Sequence, residues 1–214
     1  MRRALASVAA LPAACLLAAL SSACFRVDLP RSQAQDLYAL DTGPSTARIA
    51  DGPVILVAET SAAPGLDGRD IVYVERAHEV RHYAKSAWVE PPSRMLTPLI
   101  ARALQQGGFR VVRDGASGGR LRLETEIVQL RQEFLSRPSR VRFALRVRLL
   151  GSGGGLLADR EIEAEEQAPS DDAYGGVVAA NRAVSGLLGE VVALCAEASA
   201  RLDGPSAPTR PAGP

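Results

Sequence analysis

Lysine is almost missing from this chain: Lys85 stands alone among 25 basic residues, and 24 acidic residues nearly cancel the total, leaving a net charge of +1. No general electrostatic pull toward nucleic acid exists at that balance. Aromatic residues make up only 4% of the chain, with a single tryptophan, so the interleaved stacking platforms of a single-strand groove are also missing. Histidine occurs only at positions 78 and 82. The three cysteines, Cys15, Cys24 and Cys195, are too few and too scattered for a disulfide scaffold. No G-x-x-x-x-G-K-[ST] loop occurs, which removes the commonest phosphate-loop signature.

What is present begins at the N-terminus. A basic Met1-Arg2-Arg3 leads into an alanine-rich apolar run and then into Ser21-Ser22-Ala23-Cys24. A basic region, an apolar region and a small-residue site mark a secretory signal peptide over 1–23. Pro12 and the mostly alanine composition argue against a spanning helix, which needs ~20 strongly apolar residues. Leu20-Ser21-Ser22-Ala23-Cys24 resembles the site of lipid-modified bacterial precursors, with the leucine one place earlier than their pattern has it. The resemblance implies lipid on Cys24. Phe25, where an inner-membrane retention signal has aspartate, points to the inner leaflet of the outer membrane. Several acyl chains, at ~0.8 kcal/mol per buried methylene, make a firm anchor. Residues 24–35 are then expected to be a lipidated tether, 36–202 one domain, and the Pro/Gly-rich 203–214 a disordered tail.

Within the domain, Leu37–Leu40, the apolar run Val54–Ala58 and Ile71–Val74 are expected as strands, with Val80–Tyr83 as hairpin partner of the third. Leu96, Leu99, Ile100, Ala103 and Leu104 fall on one helical face, and Gly107-Gly108 supplies a left-handed end. The start of that helix has two solutions: Ser93 as cap with Pro98 inside, or Thr97 as cap with Pro98 first. Phe109–Val112 reads as a short strand. Three long segments then alternate with period two: Arg120–Leu130, Arg140–Leu150 and Ala158–Glu165. The wet faces are complementary, an arginine column in the middle segment between acidic columns in the flanking ones, which predicts a meander of antiparallel strands. From Ser170-Asp171-Asp172 onward, recurring apolar residues to Leu202 predict a long capped helix, with Cys195 a buried thiol. The expected fold is α+β, a two-layer sandwich of a mixed or antiparallel sheet with two helices on one face.

His78-Glu79-Val80-Arg81-His82 is a literal H-E-x-x-H, which on a helix would offer two imidazoles to zinc and Glu79 as base. Here it follows a β-branched strand, carries a charged Arg81 inside, and lacks a third ligand at a recognisable spacing. It reads as a chance match, with no metal and no cofactor expected. Gly151-Ser152-Gly153-Gly154-Gly155 lies between two strands and reads as a hairpin turn. No enzyme is expected.

In order, Asp36–Leu40, Val54–Ala58, Gly65-Leu66-Asp67 with Ile71-Val72-Tyr73, Val80–Tyr83, Trp88–Pro92, Phe109–Val112 and the last alanine-rich helix resemble the ABC-type transport auxiliary lipoproteins, similar to paraquat-inducible protein C. The resemblance covers roughly 36–200. It implies a non-catalytic partner of an MCE-domain protein with its ABC permease and ATPase, docking at the outer membrane during phospholipid transport, with homo-oligomers among some relatives. Trp88 beside Pro91-Pro92 is the expected contact surface; packing of Trp88 over the end of the first helix is the competing expectation. The alternative function is an outer-membrane assembly lipoprotein of similar fold without an ABC partner.

Overall fold

Strand β7 (Leu121–Glu133) organises the sheet. The computed structural model describes residues 34–43, 52–113 and 120–203. Along one edge β7 pairs antiparallel with β8 (Arg140–Gly151), which pairs antiparallel with β9 (Leu156–Gln167). The other edge is shared end to end by three parallel strands: β2 (Val54–Val57) opposite Leu121, β3 (Ser61–Ala62) opposite Glu126, and β4 (Asp70–Arg76) opposite Gln132. Outside them, β6 (Arg110–Arg113) runs parallel to β2, β5 (Glu79–Trp88) antiparallel to β4, and β1 (Asp36–Tyr38) parallel to β5. The described residues thus form a nine-stranded mixed sheet.

Two helices complete the second layer, α1 (Pro92–Gln106) and α2 (Ala173–Asp203). Their apolar faces meet the inward residues of β2, β7 and β8 in one core, with Leu96, Ile100, Phe143, Leu145 and Leu187 fully buried. This is the α+β arrangement that the periodicities predict. A register irregularity between Ile127 and Gln129 shifts the alternation of β7, so that Leu130 and Gln132 face inward after Leu121, Leu123, Thr125 and Ile127. Such a bulge lets a long strand keep one face buried through its whole length.

Helix α1 starts at Pro92, ahead of both expected caps, with Pro98 inside it. Proline suits the first helical position because its missing N–H has no partner there in any case. Thr97 eases the interior break: its hydroxyl donates to the Ser93 carbonyl (3.2 Å) and accepts the Thr60 N–H (2.9 Å). The helix closes as expected. Gly108 has φ +92°, its N–H donates to the Gln105 carbonyl and that of Phe109 to the Leu104 carbonyl, a Schellman ending with Phe109 buried beneath. Helix α2 is capped by Asp172, whose carboxylate accepts the Gly175 N–H at 2.7 Å.

Candidate functional site

The outer face of β7–β8–β9 carries the arginine column flanked by acids. In register, Arg148 lies between Glu124 and Asp159, and Arg146 between Glu126 and Glu161. Arg140 and Arg142 both reach Glu165, at 2.5 and 2.9 Å, and Arg142 lies 3.2 Å from Glu163. Arg146 holds Asp159 at 3.1 Å. The hydrogen bond from Arg140 keeps the Glu165 carboxyl below its ordinary value. These guanidinium groups are engaged by carboxylates across strands, so the column acts as a register lock rather than a row of free cations.

The H-E-x-x-H segment sits in the turn between β4 and β5. His78 has φ +67°, a left-handed turn conformation, and Glu79 already opens β5. The Glu79 carboxylate accepts from Arg81 Nε at 2.8 Å. His82 is exposed on the strand, 3.7 Å from Asp70. Four residues of extended chain cover roughly 13 Å, whereas one zinc ion draws its nitrogens to ~2.1 Å. The pattern therefore lacks the helical face that its chemistry requires. Among the described residues, no group of three His, Cys, Asp or Glu side chains is placed to share an ion.

Trp88 calls for a correction. Its side chain is 3% exposed, and its backbone is clamped to Arg69: the Trp88 N–H donates to the Arg69 carbonyl and Arg69 Nε donates to the Trp88 carbonyl, both at 2.8 Å. The residue borders a small cavity with Ile71, Leu130, Val141, Gly176 and Ala180, by the start of the last helix. Pro92 is buried as the first residue of α1, and Pro91 is half-buried. An indole with a large apolar area gains more from the core than from water. The surface of this block is left to Val89 and Glu90.

A polar chain unforeseen in the sequence crosses the core nearby. The Tyr83 hydroxyl donates to Gln132 Oε1 (2.9 Å), and Gln132 Nε2 donates to Ser139 Oγ (2.8 Å). Gln132 and Ser139 are buried, and burial raises the Tyr83 phenol well above its ordinary pKa. The Ser139 N–H continues the chain to Asp171 at 2.7 Å. Each amide atom of Gln132 has a partner, so the chain fastens β5, β7 and the start of α2 and leaves no spare acid or base there. An open depression of about 380 Å³ at Glu59, Thr60, Arg94, Thr97 and Pro98 is shallow and polar. The expected lipid acceptor Cys24 lies outside the described residues.

The decisive observation is of kinship: the model of the ABC-type transport auxiliary lipoprotein component family matches residues 38–193. The chain belongs to that family. Among solved structures, this auxiliary lipoprotein is similar to a Xanthomonas campestris protein at TM-score 0.68 and 21% identity, covering 78% of this chain and 98% of the other. A second crystal structure, of an uncharacterized protein, gives TM-score 0.62 and 16% identity, covering 77% and 99%. At these identities the likeness is one of fold. No curated protein matches the chain. The family is one of lipoprotein accessories to transport rather than an enzyme class.

Proposed function

We propose that this auxiliary lipoprotein is held by lipid on Cys24 in the inner leaflet of the outer membrane, facing the periplasm. There it serves an MCE/ABC-type system that moves phospholipids between membranes, docking to the MCE-domain protein while the permease and ATPase are separate chains. The family match over 38–193 carries the reading. The N-terminal pattern ending at Cys24, followed by Phe25, supports the anchor and its membrane. In this reading 1–23 is removed, 24–35 is the tether, 36–202 is the docking domain and 203–214 is a tail. Its role is non-catalytic: the core polar groups are paired with one another, and Glu79 of the H-E-x-x-H segment is bound by Arg81.

The test compares native protein with Cys24→Ala by intact mass and membrane fractionation in a Gram-negative host. The native chain is expected to start at Cys24, to carry three acyl chains and glycerol, and to float with the outer membrane; the variant loses both properties. Equal, unmodified masses in the periplasmic fraction would overturn the anchor. Co-purification of the native chain with its MCE-domain partner, from detergent-solubilised membranes, then tests docking separately.

A further inference from the structure

Strand β9 has one partner. Among the described residues it pairs with β8 alone, along twelve residues from Leu156 to Gln167. Elsewhere the open edges are shorter: β1 has three residues, β6 four, and β1 leaves the seven residues Glu79–Lys85 of β5 uncovered. A long open edge presents a row of unpaired backbone donors and acceptors and is a ready template for another strand. Proteins commonly blunt such edges with charge, and β9 is charged. Its charges, however, are nearly all of one sign: Asp159, Glu161, Glu163, Glu165 and Glu166, against Arg160.

Sign decides what an edge repels. Like charges opposite one another on paired strands destabilise, and opposite charges stabilise. An acidic edge therefore disfavours pairing with the same strand of a second copy and favours a basic strand. The sheet already follows this order: acids on β7, arginines on β8, acids on β9. Arg146 and Arg148 of β8 have an acid in register on both sides, while the acids of β9 have arginines on one side only. Glu161 shows the deficit. Its register partner Arg146 gives its guanidinium to Asp159, at 3.1 Å from Nε.

We propose that the free edge of β9 is a docking site for a basic extended segment of a partner protein, added as the next strand of the sheet. Backbone hydrogen bonds supply the affinity of such additions and alternate side chains the specificity. Arginine or lysine at every second position would extend the charge ladder by one column. The basic strand at another edge of this same sheet, β6, is four residues long and would cover only a third of the β9 edge, which favours a foreign strand over a second copy. This inference rests on the docking reading only for the origin of that strand.

The test uses the full chain in detergent with a fluorescent twelve-residue peptide alternating arginine and valine, read by anisotropy at physiological salt. Binding is expected, together with new hydrogen-exchange protection confined to 156–167. The same peptide N-methylated at alternate amides should not bind, nor should one alternating glutamate and valine. Glu161→Arg, at an exposed position, should weaken binding about five- to tenfold. Equal binding of the N-methylated peptide reduces the contact to charge attraction and overturns strand addition. Protection elsewhere overturns the site, absence of binding overturns the proposal, and self-association abolished by Glu161→Arg replaces the partner with a second copy. Failure of lipidation or of MCE docking leaves this titration unchanged, so the two readings fail separately.

Discussion

Replacing Gly176 by alanine sets two effects of opposite sign against each other. Alanine gains up to ~1 kcal/mol over glycine in a helix. At Gly176 of α2, however, an added Cβ would stand 2.8 Å from Cδ of Gln132 and overlap its Oε1. The far end of a glutamine normally swings aside, but this one is pinned by Tyr83 on one side and Ser139 on the other. Moving it leaves two buried polar partners unsatisfied, at ~1–3 kcal/mol each. The net effect is a loss of ~1–5 kcal/mol, and each kcal/mol is worth about 2–4 °C in a domain of this size. Gly186 and Gly189, on the exposed side of the same helix, have nothing within 4 Å of the added atom. Alanine there should raise the melting temperature by up to ~4 °C. Thermal unfolding followed by circular dichroism compares Gly176→Ala with Gly186→Ala, and the decisive pair repeats Gly176→Ala in a Gln132→Ala background. With the glutamine gone, the substitution should become stabilising. If Gly176→Ala raises the melting temperature in the native chain, or still lowers it without Gln132, the reasoning is refuted.

Two further outcomes follow from buried or bonded groups. The Ser139 N–H and hydroxyl hold the Asp171 carboxyl below its ordinary value, so its stabilisation is present above the unfolded pKa, near 4, and lost as pH falls through the folded one. Asp171→Asn should therefore be less stable than the native chain at pH 7, with the gap narrowing at pH 3; a gap independent of pH in urea titrations would contradict this. Cys195 is fully buried, and burial pushes its thiol up to about 12. It should resist a thiol reagent at pH 8 and react as urea unfolds the chain, with mass spectrometry locating the label; fast labelling of folded protein would show that the helix opens there.

The elements legible in the sequence were those whose information is local. In β7, β8 and β9 one face is wet, so alternation shows, and opposite charge on successive segments gives the meander. Gly107-Gly108 before Phe109 encodes a helix ending within five residues. The parallel half of the sheet is different. That β2, β3 and β4 share one edge of β7 depends on partners dozens of residues away, and no short pattern records it. β3, with two residues, has no periodicity to detect. β5 runs from Glu79 to Trp88, well beyond the expected Val80–Tyr83, because most of its residues are exposed or half-buried and its alternation is blurred. Trp88 followed the same logic in reverse. Beside two prolines it looked like a surface contact, but it is buried and lines one cavity with Leu130 and Gln132, which a bulge without a sequence signature turns inward.

The charged face explains why the candidate surface was hidden while its components were visible. A composition near neutrality says that charges cancel on average, yet cancellation in a sheet is a matter of columns. β8 contributes basic residues of which Arg146 and Arg148 are met by acids from both sides, whereas β9 contributes acidic residues that can be met from one side only. The excess is therefore set by the order of strands and not by the count of residues. The same twelve-residue segment in the middle of a sheet would be an ordinary ladder component. At the edge its unsatisfied side coincides with a row of open backbone hydrogen-bonding groups, and both ask for the same complement: an extended chain bearing positive charge at alternate positions.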